Sequence, residues 1–229
     1  MTLKWKTKLF SILSPLKKYL LSNQSLYGDR DVEWSFVGAH IQPMESGATA
    51  LDFGPQNAYL GLMAAEAGYK TIAVDLQDIK WPYQHTNLRF IRSDILTLAL
   101  PENYFDLIIN CSSIEHVGLA GRYNITKNQK DGDLIAMQKL YTLMKHGGKM
   151  LLTLPVGMDS VFQSLHRVYG ASRLPLLIKQ YTTIKKEFWL KNSALQWTHV
   201  DEAEALAKPP QADLYGLGCF VLEKPISAS

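Results

Sequence analysis

One stretch of the chain, Ala50–Asp75, restricts its fold more than any other. The apolar run Thr49–Phe53 is too short for a buried helix and is closed by the turn-forming pair Gly54-Pro55, which is typical of a central strand. Asn57–Ala67 then carries apolar residues at a helical spacing, and a second apolar run, Thr71–Val74, follows. The stretch therefore predicts a β-α-β unit of the kind that binds nucleotides.

Both strands of this unit end close to a carboxylate, Asp52 in the first and Asp75 after the second. A carboxylate about 20 residues past the glycine turn can accept two hydrogen bonds from a ribose, although an acid in this place is as typical of an ordinary strand end. The turn is poorly suited to phosphate, because Pro55 lacks an amide donor and Gln56 stands where a dinucleotide site needs glycine. These features favour S-adenosylmethionine, which has no phosphate, over a nicotinamide dinucleotide.

The remaining chain continues the alternation of strands and helices. Its apolar patterns predict strands at Leu88–Arg92, Phe105–Cys111, Lys149–Pro155, Ile184–Leu190 and Leu217–Leu222, a helix at Asp133–Lys145, and broken helical stretches between Met158 and Lys179. Strands that alternate with helices in this way indicate a parallel sheet covered by helices on both faces.

Several motifs together make the chain resemble the class I S-adenosylmethionine-dependent methyltransferases. The glycine motif of that family is matched at Asp52 and Gly54, but not at Gln56 or Ala58. Further matches follow in order at Asp75, Arg92–Ile95, Phe105–Asn110 and Lys145–Pro155. The resemblance implies a Rossmann-like α/β sheet, mostly parallel with an antiparallel last strand, in one domain over residues 31–229. It also implies S-adenosylmethionine as cofactor, bound by Asp52, Gly54, Asp75, Leu76, Asp94, Ile95 and Ser112.

A second set of motifs is similar to a little-characterised methyltransferase-like family associated with polysaccharide biosynthesis. These motifs are Ser112–Gly118, Asp131–Leu134, Leu154–Gly157, His166–Gly170 and Gly218–Lys224. This resemblance implies methyl transfer to an oxygen of a sugar, a glycan or a small-molecule acceptor. The altered glycine motif leaves open an alternative, a non-catalytic nucleoside-binding scaffold that docks at a membrane biosynthetic assembly.

Methyl transfer to a hydroxyl needs one well-placed base, because the sulfonium is already a good leaving group. His116 follows the fourth predicted strand, and histidine as a residue type can act as a base near neutral pH, so it is the first candidate, with Glu115 beside it. His166, with Arg167 and Tyr169, follows the fifth strand and could contact an acidic or sugar substrate. For each of these residues a structural hydrogen bond is the competing interpretation.

Other residues have weaker claims to a role in the site. Arg122, Tyr123 and Asp133 lie in the loop after the fourth strand, where Asp133 could simply be the N-cap of the next helix. An acceptor pocket could draw on aromatic side chains that would otherwise belong to the core, namely Trp34, Phe36, Trp81, Tyr83 and Tyr123. No metal site is predicted, because no cysteine cluster exists and Thr142 occupies the position where a calcium loop beginning at Asp131 needs glutamate.

The net charge of the 229-residue chain is only +3, but its basic residues are concentrated in two segments. Residues 1–30 and residues 161–195 each contain six basic residues and one acidic residue. Residues 1–30 form a basic amphipathic segment, and its stretch 3–21 could rest on an anionic membrane or cap the cofactor cleft. Nucleic acid is a disfavoured partner at this net charge.

The apolar runs and the cysteines bear on where the protein works. No apolar run approaches the length that spans a bilayer. Cys111 and Cys219 fall in strands that are not neighbours in the expected sheet, which argues against a disulfide and favours a reducing compartment. We therefore expect a cytoplasmic protein, with peripheral contact at the inner membrane face left open.

Overall fold

The computed structural model describes residues 28–44, 47–121, 123 and 125–226. Apart from its last three positions, the predicted basic segment 1–30 lies outside the described residues, and so does all of its possible membrane-contacting stretch 3–21. Arg122 also lies outside them.

The described elements alternate between helix and strand along most of the chain. In order they are α1 (Asp29–His40), β1 (Thr49–Phe53), α2 (Leu60–Glu66), β2 (Lys70–Asp75), β3 (Leu88–Arg92), β4 (Phe105–Cys111), a 3-10 turn (Ile114–His116), α3 (Gly132–Leu143), β5 (Met144–Val156), β6 (Ser160–Phe162), β7 (His166–Val168), α4 (Arg173–Ile178), β8 (Thr182–Lys191), β9 (Trp197–Val200), α5 (Glu202–Leu206) and β10 (Gly216–Glu223). The strands β1, β3 and β4 have the predicted bounds. The helix α2 is shorter than predicted, and α3 ends before Lys145 because β5 already begins at Met144.

Eight strands form one sheet in the order β3-β2-β1-β4-β5-β10-β8-β9. The first five are parallel, and β10 inserts antiparallel between β5 and β8. The prediction of a mostly parallel sheet with an antiparallel last strand is therefore confirmed. Cys111 at the end of β4 and Cys219 in β10 are separated by β5, and both thiols are free.

Helices cover both faces of the sheet, as predicted. Successive residues of a strand point to opposite faces, so Leu107 and Ile109 of β4 pack with α1 and α2 while Ile108 packs with α3. All three side chains are almost completely buried. The near-continuous apolar character of β4 follows from this burial on both faces. In the described part of the chain, no helix has the length and apolar character needed to cross a membrane.

The segment between β5 and β8 differs from the prediction of broken helices. It begins with a hairpin, because β6 and β7 pair antiparallel and form a separate two-stranded sheet. Only Arg173–Ile178 is helical, and Pro175 is tolerated because it lies in the first turn, where no intrahelical amide bond is lost. Asp159 fixes the start of this helix by accepting hydrogen bonds from the amides of Gly170 and Ser172 at 2.7 and 2.8 Å.

Asp133 is not the N-cap of α3, since that position belongs to Asp131. It is fully buried and binds the Arg173 guanidinium at 2.9 and 2.5 Å. The Tyr169 hydroxyl donates to it at 3.1 Å, and the Arg167 Nε lies 3.7 Å away. Asp133 therefore joins α3 to β7 and α4 through charge rather than capping a helix.

Five of the six basic residues of 161–195 are paired with carboxylates. Arg167 and Arg173 lie against Asp133, Lys185 pairs with Glu187, Lys186 with Glu202 and Lys191 with Asp29. Most of the positive charge of this segment is therefore balanced by nearby acidic side chains.

We predict that Asp133→Ala lowers the free energy of unfolding by about 3–5 kcal/mol, because it leaves the buried Arg167 without a carboxylate. Urea denaturation followed by circular dichroism measures the change. The matched control is Asp131→Ala, which removes only the exposed partner of Arg173 and should cost at most about 1 kcal/mol. Equal losses of unfolding free energy in the two variants would contradict the role of Asp133 as the buried partner of Arg167.

Candidate active site

A cavity of about 270 Å³ opens at the carboxyl ends of β1, β2 and β4. This is the edge at which α/β sheets of this kind bind ligands. All seven residues predicted to bind the cofactor line the cavity: Asp52, Gly54, Asp75, Leu76, Asp94, Ile95 and Ser112. The sheet thus brings together residues that are spread over about 60 positions of the sequence.

The turn after β1 depends on Gly54. Its φ angle is +69°, and an added Cβ would lie only 2.5 Å from the Ser113 Oγ. That hydroxyl donates a hydrogen bond to the Gly54 carbonyl at 3.0 Å, so the turn after β1 packs directly on the segment after β4. A residue with a side chain cannot occupy this position without displacing Ser113.

Gln56, which replaces a glycine of the family motif, keeps the backbone conformation that glycine would allow. Its φ angle is +46°, in the left-handed region that costs a non-glycine residue about 1–2 kcal/mol. The Gln56 amide donates to the Asp75 Oδ2 at 3.0 Å, which offsets that cost. Gln56 therefore adopts, in place of the motif glycine, a backbone conformation that glycine favours.

Asp75 is held by backbone amides on both of its oxygens. Besides Gln56, the Gln77 amide donates to Oδ1 at 2.8 Å. A carboxylate has about four acceptor positions, so two remain after these bonds. Asp75 therefore keeps the capacity to accept two hydroxyl donors from a ligand in the cavity.

Asp52 lies deeper than Asp75 and is 1% exposed. Its Oδ2 has no hydrogen-bond partner in the described part of the chain, and it lies against Gly61 in the first turn of α2. Burial raises the pKa of Asp52 to about 7, and the neighbouring Asp75 charge adds to the effect, while a hydrogen bond from the Gly61 amide opposes it. A buried carboxylate with an unpartnered oxygen at a cavity wall is suited to a cationic ligand group.

Asp94 and Ile95 form the end of the cavity beside β3. The Leu96 amide donates to the Asp94 Oδ1 at 2.9 Å, which leaves Oδ2 for other partners, and Ile95 is buried. Leu76, which follows β2, also lines the cavity and is 37% exposed. Two apolar side chains and one carboxylate can together bind a flat ring with polar edges.

Glu33 of α1 supports the site, although no sequence pattern singled it out. It is completely buried, accepts a hydrogen bond from Ser112 and another from Thr153 at 3.0 Å, and pairs with Arg30 at 2.7 Å. Burial raises the pKa of Glu33, although the Arg30 charge acts in the opposite direction. Glu33 thereby ties α1 to the ends of β4 and β5 and places Arg30 on the cavity wall.

The three predicted catalytic residues are neighbours, but only His116 lines the cavity. Its Nδ1 lies 2.6 Å from the Leu165 carbonyl oxygen, which can only accept, so Nδ1 carries a proton. In the neutral ring the lone pair is then on Nε2. Glu115 is buried, with Oε1 3.7 Å from that nitrogen, and His166 is buried with its ring centroid 6.4 Å from that of His116.

Arg167 does not face the cavity, which corrects the expectation that it could contact a substrate. It is 1% exposed and donates to the carbonyl oxygens of Glu115, Val117, Gln129 and Lys130 at 2.6–3.3 Å. Tyr169 is also fully buried, its hydroxyl donates to Asp133, and it does not line the cavity.

Of the predicted aromatic residues, Trp34 and Tyr123 line the cavity. Phe36 belongs to the core beneath α1, while Trp81 and Tyr83 cluster with Phe90 outside the cavity. Several further lining residues were not predicted from the sequence, among them Arg30, Lys127 and Gln129.

A family model matches residues 54–203, which include the turn after β1 and the segment with His116. That family is described as a Caenorhabditis protein of unknown function, DUF268. The chain belongs to the DUF268 family. The description of DUF268 assigns no activity, and a comparison with curated proteins finds no match.

Solved structures similar to this DUF268 chain include several methyltransferases. One is the Burkholderia thailandensis 1,6-didemethyltoxoflavin-N1-methyltransferase with S-adenosylhomocysteine (17% identity, TM-score 0.54, 94% of this chain and 89% of that chain). Another is the N-methyltransferase NodS of Bradyrhizobium japonicum with S-adenosylhomocysteine (14%, 0.54, 85% and 87%). The [4+2]-cyclase SpnF is also similar (13%, 0.59, 96% and 95%). The DUF268 chain thus has the class I methyltransferase fold.

We predict that Asp52 makes the stability of the ligand-free protein depend on pH. Because its folded-state pKa of about 7 exceeds the ordinary 3.8, the folded state holds the proton more tightly. The contribution of this raised pKa to the free energy of unfolding is complete below pH 4. It declines by about 1.4 kcal/mol per pH unit until the pH passes 7. The free energy of unfolding of the wild type minus that of Asp52→Asn, measured in urea from pH 4 to 8, should follow this decline. A difference independent of pH would refute it.

Proposed function

We propose that the protein is an S-adenosylmethionine-dependent methyltransferase that acts on an oxygen of a sugar, a glycan or a small-molecule acceptor. The observation that carries the proposal is the pair of buried carboxylates, Asp52 and Asp75, beside a turn that has few amides to offer. The Asp75 charge, together with Asp52, which a bound cation would hold in its ionised form, favours a cationic nucleoside over a phosphate.

The backbone of the turn supports this choice over a dinucleotide. Pro55 has no amide, the Gln56 amide donates to Asp75, and the Gly54 and Ala58 amides donate to the carbonyls of Val74 and Pro55, both at 2.8 Å. A pyrophosphate site requires such amides to point at the ligand. Here the amides of Gly54, Gln56 and Ala58 are already engaged within the protein.

Each part of S-adenosylmethionine has a matching group in the cavity. Asp75 accepts from the ribose hydroxyls, and the adenine binds between Leu76 and Ile95 with Asp94 at its edge. Asp52 pairs with the ammonium of the amino-acid tail. Arg30 binds the carboxylate of the same amino-acid tail. Its bond to Glu33 uses one terminal nitrogen of the guanidinium, which leaves other donors for this ligand group.

His116 is the base in this proposal. Its Nε2 takes the proton of the acceptor hydroxyl, the oxygen attacks the methyl carbon, and the carbon–sulfur bond breaks with its electron pair passing to sulfur. The products are the methyl ether and neutral S-adenosylhomocysteine. Glu115 stabilises the imidazolium through its charge, which the buried setting strengthens.

The alternative of a non-catalytic scaffold rests on the two glycines missing from the motif. At one of these two positions Gln56 adopts a left-handed conformation that glycine would also allow, which favours the enzyme. The choice of a sugar or glycan acceptor, the link with polysaccharide biosynthesis, the cytoplasmic location and a membrane contact through residues 3–21 rest on the sequence alone.

We predict that Asp75→Ala weakens binding of S-adenosylhomocysteine at least about 100-fold, because two hydrogen bonds to a charged group are lost. Isothermal titration calorimetry measures the affinity, and circular dichroism verifies the fold. The control is Asp78→Ala, whose side chain is 80% exposed three residues away and should bind like the wild type. A wild type that is folded but does not bind would rule out the proposed function.

We predict that His116→Ala binds S-adenosylmethionine like the wild type but transfers its methyl group about 100- to 10,000-fold more slowly, the usual loss when a general base is removed. The assay follows a radiolabelled methyl group from the cofactor to a panel of sugars and sugar phosphates. His199→Ala, on the remote strand β9, serves as the control and should be fully active. Normal turnover by His116→Ala would disprove the base assignment.

A further inference from the structure

The segment after the 3-10 turn supplies one side of the cavity from alternate residues. Tyr123, Ile125, Lys127 and Gln129 all line it, and we call these four residues the acceptor wall. The cavity lining thus includes one aromatic, one apolar, one cationic and one amide side chain from this short segment.

The acceptor wall is fixed at both ends by hydrogen bonds of the backbone. The Gln129 amide donates to the Gly118 carbonyl at 2.7 Å, and the Gly121 amide donates to the Ile125 carbonyl at 2.9 Å. The approach at Gly118 is so close that an added Cβ would lie 2.6 Å from the Gln129 carbonyl oxygen. These contacts give the wall a defined position relative to the rest of the cavity.

Five charged side chains other than histidine line the cavity in the described residues: Arg30, Asp52, Asp75, Asp94 and Lys127. In the proposed function the first four match groups of the cofactor. Lys127 remains, and its ammonium has no hydrogen bond or ion pair within the described part of the chain. The other members of the acceptor wall carry no charge that could neutralise it.

We propose that Lys127 binds an anionic group of the acceptor, a phosphate or a carboxylate, and that the acceptor is therefore a charged sugar rather than a neutral one. This inference rests on the proposed function, because it assigns the other charges of the cavity to the cofactor. A lysine ammonium is a compact point charge with three donors, which suits either anion.

The other wall residues fit the remainder of such an acceptor. The Tyr123 ring lies 5.7 Å from the His116 ring, measured between centroids, so an apolar sugar face against Tyr123 brings its hydroxyls close to the base. Tyr123 and Lys127 are four residues apart, so even a fully extended chain would separate their Cα atoms by at most about 13 Å. A sugar with one charged substituent, together with the length of the lysine side chain, covers that distance.

Calorimetry on protein saturated with S-adenosylhomocysteine tests this proposal. The probes are glucose 1-phosphate, glucuronate and neutral glucose, titrated into the wild type, Lys127→Met and Lys130→Met. Lys130 is exposed like Lys127 and lies in the same segment, but it does not line the cavity, so it is the matched control. Comparing the phosphate with the carboxylate tells which anion Lys127 prefers.

We expect the wild type and Lys130→Met to bind at least one charged sugar about tenfold more tightly than glucose, and Lys127→Met to lose most of that preference. The preference should also shrink as salt is added, because the ammonium is exposed. Equal affinity for charged and neutral sugars, or an unchanged preference in Lys127→Met, would overturn the proposal. The protein is first titrated with S-adenosylhomocysteine alone. Absence of binding in that step would contradict the proposed function, independently of the result with the sugars.

Discussion

The hydrogen bond from the Gln56 amide to Asp75 is the contact on which the arrangement of the cavity depends. It joins the turn after β1 to the end of β2 and holds Gln56 in a left-handed conformation that few side chains adopt. It also consumes an amide that would otherwise attract phosphate. One bond thereby fixes the path of the turn and the kind of ligand that the turn can accept.

The sequence predicted the central sheet well because its strands are buried on both faces. Apolar runs such as Phe105–Cys111 are too short for buried helices, so their length favours strands. The hairpin β6–β7 and the strand β9 escaped prediction since they have only three or four residues each, too few for a period to be recognised. The prediction of helical stretches over Met158–Lys179 was wrong for the first part of that segment, because the short strands β6 and β7 lie there.

The candidate site was predictable only where its chemistry resides in a local motif. Asp52, Asp75 and His116 each end a strand or follow one, so chain order alone brings them to the same edge. Glu33 lies 79 residues from Ser112, and nothing near it in the sequence indicates that partner. Likewise, Asp133 looks like a helix cap locally, because the arginines that bind it come from distant elements.

Arg167 explains how the base and the acceptor wall keep their relative positions. Its planar guanidinium donates to the carbonyls on both sides of His116, those of Glu115 and Val117, and to those of Gln129 and Lys130 at the end of the wall. A lysine has one ammonium and could not reach both segments with fixed geometry. The buried arginine that the sequence suggested as a substrate contact therefore acts one layer behind the cavity. There it holds together the two segments between which an acceptor would bind.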